Sequence, residues 1–146
     1  MKKINKKYLT VTILWMSLIF YLSSQTGGQS GGLSSQILVN LRLVTIKDVL
    51  THSSRYLMYQ SIIRTGAHFT EYFILGILLV KTFTYKKSIC IKTGVIFLIG
   101  ALYAVSDEIH QYFVPERSMQ FEDVFIDIMG VLVGIYFCKM FNKNYK

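Results

Sequence analysis

The sequence predicts an all-α membrane protein of four transmembrane helices with both termini cytoplasmic, and three observations predict it. The chain is 52% apolar and only 16% charged, with a mean hydropathy of +0.41, a balance unlike that of a disordered chain. Its apolar residues gather into four stretches: Tyr8 to Leu22, about Gly66 to Tyr85, about Ile89 to Ser106 and about Phe121 to Phe141. Each is close to the roughly 20 residues that a helix needs to cross a hydrocarbon core of about 30 Å. Third, the basic residues alternate between the connections. A length of 146 residues suits a single domain over 1–146.

The charge map orients the spans. Lys2, Lys3, Lys6 and Lys7 precede the first span; Lys81, Lys86, Lys87 and Lys92 surround the second connection; Lys139, Lys143 and Lys146 end the chain. No acid lies among them. Arg42, Lys47, Arg55 and Arg64 lie in the first connection and Arg117 in the third, and all eight acids share that side. This is the positive-inside pattern of a multi-pass protein of a cell membrane. A nucleic-acid binder would gather its basic residues on one soluble face, so the net charge of +8 is a topology signal, and the partner it implies is the lipid membrane and no nucleic acid.

The first span has the basic start of a signal peptide, but it ends in Ser23-Ser24-Gln25 with no A-x-A-like site, so a retained anchor is expected. The first connection opens with a Gly/Ser run, Gly27 to Gly32, which reads as a flexible hinge. Leu33, Ile37, Leu41 and Val44 follow on one helical face, and a helix lying in the outer interface is expected there. The second connection is a short basic turn. The third, His110 to Gln120, holds Pro115, the single proline. On the fourth span, Gly130 and Gly134 form G-x-x-x-G, a signal for close helix contact. Cys90 and Cys138 lie at cytoplasmic helix ends, where a disulfide is not expected.

The chemistry lies in the polar residues that interrupt the spans, because such residues are costly in a bilayer and mark function or a structural pair. His68 and Glu71 stand at i and i+3 of the second span. Asp107, Glu108, His110 and Gln111 close the third. Adjacent acids point about 100° apart on a helix, so Asp107 is taken as inward and Glu108 as the rim charge. Asp123 and Asp127 stack at i and i+4 on the fourth span, with Arg117 as their natural partner. Glu71, Asp107 and Asp127, with His68, are thus candidate acid/base groups or metal ligands at one depth near the outer face. Excess acid with histidine could bind a divalent cation, although no cofactor is identified, or could supply general acid and base. Arg117 would suit a phosphate or serve as a structural salt bridge. No H-E-x-x-H, G-x-S-x-G or P-loop pattern occurs.

Three blocks carry a resemblance. Ser23-Ser24-Gln25, then Arg64-x3-His68-Phe69-x-Glu71-Tyr72, then Ser106-Asp107-Glu108-x-His110-Gln111 with Arg117, Asp123, Asp127 and Gly130, resemble the VanZ-like family of small bacterial membrane proteins. Two positions depart from its pattern: Thr65 stands where lysine is common, and Glu116 stands where glycine is common. The resemblance implies a helical membrane protein linked to teicoplanin and other glycopeptide resistance or to the cell envelope. It adds Ser24, Gln25, Arg64, Glu108, Gln111, Arg117 and Asp123 as candidate substrate-binding residues. It implies no settled reaction. An outer-leaflet enzyme acting on a lipid-linked cell-wall precursor, a non-catalytic binder that limits access of lipoglycopeptides, and, less favoured, a transporter are the readings that follow.

Overall fold

The computed structural model describes residues 4–85, 88–89 and 92–141. Lys2, Lys3, Lys86, Lys87, Lys143, Lys146 and Cys90 lie outside the described residues. The elements are α1 (Lys6–Ser23), α2 (Gly27–Asn40), α3 (Ile46–Leu50), α4 (Ser54–Thr82), the two-residue strands β1 (Thr84–Tyr85) and β2 (Ser88–Ile89), α5 (Thr93–Tyr112) and α6 (Phe121–Phe141). Three helices, α4, α5 and α6, are long and apolar enough to cross a membrane, and the bent pair α1–α2 makes a fourth if it is one broken span.

Boundaries depart from the hydropathy reading where local hydrogen bonding overrides it. The helix of the second span begins at Ser54, twelve residues before the expected Gly66, because Ser53 caps it by accepting the Tyr56 N–H. At about 1.5 Å per residue its 29 residues exceed a hydrocarbon core, so one end rises out of it. The third span starts later, at Thr93 rather than Ile89, since β1 and β2 first form an antiparallel turn. It also runs on to Tyr112, keeping Asp107, Glu108 and Gln111 helical.

The Gly/Ser run is not a hinge. Gly27–Gly32 forms the first turns of α2, started by a capping box in which Thr26 and Gln29 satisfy each other's backbone N–H. Gly27 is there for proximity: a Cβ on it would collide with the Glu116 carbonyl of the α5–α6 loop, whereas Gly32 faces open space. The α2 axis turns 98° from α1. Of the expected apolar face, Leu33, Ile37 and Leu41 are exposed and Val44 is buried. Leu38, Val44 and Tyr56 form a small core that joins α2, the following loop and the start of α4.

The main core lies between α1, α4, α5 and α6, around Ile19, Tyr72, Leu75, Ile96, Val131 and Ile135. Gly130 and Gly134 do what their spacing predicts. A Cβ on Gly130 would stand 2.7 Å from the Phe69 carbonyl oxygen, and Gly134 abuts Phe73 and Gly76, so the α4 and α6 backbones touch. Consecutive spans run antiparallel, so the start of α1 meets the end of α4 through Thr12 and Thr82 (2.8 Å). Helices α1 and α5 run parallel and end together where Ser23 meets Asp107 (2.8 Å). Helices α4 and α6 are likewise parallel, with Arg64, His68 and Phe73 facing Asp123, Asp127 and Gly134 in turn. Cys138 is a buried filler of this core.

Candidate functional site

This alternation of direction along the chain brings the end of α1, the middle of α4, the end of α5 and the start of α6 to one end of the bundle. Helix phase decides which side chains turn inward. On α4 the stripe His68, Tyr72, Leu75, Leu79 is buried. On α5 it is Ile96, Gly100, Ala104, Asp107, Glu108, Gln111, and on α6 it is Asp123, Asp127, Gly130, Val131, Gly134. Each stripe starts apolar in the bundle and turns polar toward this end.

Four of the polar side chains share one arrangement: one atom is held and the other is free. Asp107 accepts from the Ser23 hydroxyl through Oδ2 at 2.8 Å, and its Oδ1 has no partner. Glu108 accepts from the Gln120 backbone N–H through Oε1 at 2.7 Å, and its Oε2 has none. Gln111 accepts from Arg117 through Oε1 at 2.8 Å, leaving Nε2 unused. Oδ1 of Asp127 lies 3.1 Å from Nδ1 of His68, and Oδ2 is free. The Tyr72 hydroxyl, like the Gln111 amide, is turned toward Asp107 without making a well-formed hydrogen bond to it. All five residues are at most 2% exposed. An unmade buried hydrogen bond costs about 1–3 kcal/mol, so a cluster of them points to a group that completes it.

Several pairings differ from those the spacing suggests. Arg117 does not pair with Asp123 or Asp127. Arg64 makes the ion pair with Asp123, and His68 pairs with Asp127. Arg64 reaches from α4, where a basic residue within a long helix gave hydropathy no reason to place it over α6. Arg117 is half-buried, and burial with the nearby Arg64 holds its guanidinium below its usual value. It remains a cation, as arginine does in proteins. Glu108 is not a solvated rim charge: both adjacent acids are buried, because the α5–α6 loop folds over Glu108 and donates Gln120 N–H to it.

Glu71 is half-buried and faces the same charges, His68, Asp107, Asp127 and Arg117. Its carbonyl accepts the Trp15 indole N–H at 3.0 Å, which ties α1 to α4. Ser24 stands to one side, 3.1 Å from Nε2 of His110, whose ring stacks on Phe20. Gln25 is not brought into the cluster; its amide bonds only the Tyr21 carbonyl of its own helix. Among the described residues, no three His, Cys, Asp or Glu side chains converge closely enough to hold a metal ion. Ser23 and Tyr72 are the additions to the candidate set. Each had a signal in helix phase: Ser23 extends the buried Thr12–Ile19 face of α1, and Tyr72 lies one turn past His68.

An open apolar groove of about 490 Å³ runs beside the cluster between α4 and α6, lined by Ser61, Thr65, Phe69, Phe125, Ile126 and Met129 among others. It follows the same turns that carry Arg64, His68 and Asp127. Carboxylates, a histidine and an arginine next to an apolar trough can bind, orient and exchange protons with an amphiphile. The chain matches the VanZ/LLP1 family over residues 8–142. No curated protein and no solved structure matches it.

Proposed function

Because the chain belongs to the VanZ/LLP1 family, we propose that it is a multi-pass protein of the bacterial cell membrane that serves the envelope by engaging a lipid or lipid-linked precursor at its buried polar cluster. The observation that carries this reading is the set of half-held side chains, Asp107, Glu108, Gln111 and Asp127, each fixed by one atom with its other atom open. Fixed first atoms preorganise the second ones for a ligand. The adjoining groove accounts for the apolar part of such a molecule.

The charge pattern supports the orientation. Lys81, Lys92 and Lys139 lie at the end of the bundle opposite the cluster, which supports reading both termini as cytoplasmic and the cluster as facing outward. On this reading α2 and α3 lie in the outer interface, which the exposure of Leu33, Ile37, Leu41, Ile46 and Leu50 supports. Resistance to teicoplanin and related glycopeptides is the phenotype this places within reach, since a lipid-anchored target and a lipid-tailed drug meet at that surface.

The test replaces Glu71 by Gln and Asp107 by Asn at equal membrane abundance. Loss of the glycopeptide phenotype is expected, and full retention with both changed would sink the reading. Extracted lipids and precursors, compared with and without the protein, separate the two modes. A changed chemical species marks catalysis, with Glu71, His68 or Asp127 moving protons; unchanged species with less bound drug mark binding alone.

A further inference from the structure

We infer that the group completing this cluster is a polyhydroxylated, sugar-like headgroup of a lipid, rather than a phosphate or a bare cation. The inference rests on the reading above, that a lipid meets this site, and names which kind.

The unpartnered atoms set the requirement. Asp107 Oδ1, Glu108 Oε2 and Asp127 Oδ2 are carboxyl oxygens, while Gln111 Nε2 and the Tyr72 hydroxyl can donate. A phosphate presents acceptors, which suit only the last two and repel three carboxylates. Of the nearby cations, Arg64 is paired with Asp123, and Arg117, which holds Gln111, stands among the carboxylates Asp107, Glu108 and Asp123 that its charge already answers. A metal ion needs its ligands around one point, and no such convergence exists among the described residues. The open atoms are instead spread along α5, where Asp107 and Gln111 are about 6 Å apart in rise, and across to α4 and α6.

A row of hydroxyls fits both demands. Each donates once and accepts twice, so adjacent hydroxyls on a ring can give to the carboxyl oxygens and take from Gln111 and Tyr72 in one pose. The apolar groove beside the cluster supplies the place for an acyl chain, which makes a lipid-borne sugar a better match than a free one.

The experiment titrates the purified full chain in detergent with four probes: monoglucosyl diacylglycerol, diacylglycerol and phosphatidic acid with identical acyl chains, and free glucose. The readout is the fluorescence of Trp15, the single tryptophan, whose indole is bonded one residue before Tyr72. The glucolipid is expected to bind at least tenfold more tightly than any other probe. Tyr72→Phe, which removes a hydroxyl turned toward Asp107 but in no well-formed hydrogen bond, and Gln111→Glu, which turns a donor into an acceptor while still accepting from Arg117, should each remove most of that preference.

Phosphatidic acid binding as tightly as the glucolipid, and weakened by Tyr72→Phe, would overturn the inference while leaving a lipid at the site. No discrimination and no response to either variant would overturn the lipid reading as well. Free glucose binding as tightly as the glucolipid would overturn the lipid-borne headgroup. Lower thermal stability of Tyr72→Phe would also overturn it, by showing the hydroxyl to be a structural bond.

Discussion

The contact between α4 and α6 holds two sides of the cluster in register, and Gly134→Ala tests it. A methyl group there would overlap the Phe73 carbonyl oxygen and stand 3.3 Å from the Gly76 Cα. Both neighbours are backbone, so no side-chain rotation relieves the overlap and the helices must part. Overpacking of this kind costs about 1–3 kcal/mol. Against it, alanine in a helix interior is favoured over glycine by about 0.5–1 kcal/mol, so the expected net loss is about 1–2 kcal/mol. Gly66→Ala is the control. It too is mid-helix, but nothing lies within 4 Å of its Cβ position, so only the favourable term remains and it should gain about 0.5–1 kcal/mol. Thermal unfolding in detergent can be followed with a thiol-reactive fluorophore at Cys138, which is 5% exposed when folded, in a Cys90→Ser background. Gly134→Ala unfolding at or above the temperature of its parent, or no separation from Gly66→Ala, would refute the close backbone contact.

Other outcomes follow from single contacts. Arg64→Met leaves Asp123, 4% exposed, without its cation; because the arginine itself is partly solvated, a loss of about 1–3 kcal/mol is expected, and the further change Asp123→Leu should recover most of it. Trp15→Phe removes the bond to the Glu71 carbonyl and should cost about 1 kcal/mol in the same unfolding assay. Glu116 sits at a φ of 62°, so Glu116→Ala, which keeps the strain, should be less stable than Glu116→Gly by about 1 kcal/mol; equal stabilities would contradict the left-handed backbone there. Hydrogen bonds from Thr45 and then Ser53 hold the Asp48 carboxyl below its ordinary value of 3.8. A lowered value in the fold means that its contribution is complete above the ordinary value and lost as the pH falls through the lowered one. Amide protection of α3 should therefore drop only in strong acid, and Asp48→Asn should remove that step from hydrogen-exchange profiles.

Much of the fold was legible because lipid and water leave period and charge marks in a sequence. Tyr8 to Leu22 and Phe121 to Phe141 lie within residues of α1 and α6. Gly130 and Gly134 announced a close helix contact through spacing alone, and the structure makes it with α4. What hydropathy misread was set by hydrogen bonds that it does not sense. Ser53 carries α4 twelve residues beyond its apolar stretch. The Gly27–Gly32 run resembles a linker by composition, yet Gly27 and Gly28 make room for the α5–α6 loop, and Glu116 fills that space twice, through its backbone and through a 2.8 Å bond from the Gly28 N–H. The position where the family favours glycine is thus one whose backbone is left-handed, and this chain answers with a side chain that caps α2 instead.

The candidate site shows the same division between what one helix records and what only packing decides. Position along a helix predicted that His68, Asp107, Asp123 and Asp127 would turn inward, and they do. Partners depend on how helices rotate against one another, which no single helix encodes. Arg117 looked like the natural counter-ion because it was the one cation near the acids in sequence; the helix crossing instead puts Arg64 on Asp123 and His68 on Asp127. That exchange leaves Arg117 to hold Gln111, and with it the loop that covers Glu108. The acids are therefore not a charge cluster awaiting a counter-ion. Asp107, Glu108, Asp123 and Asp127 are each anchored through one oxygen, and the ligand proposed above would be chosen by hydrogen-bond direction more than by charge.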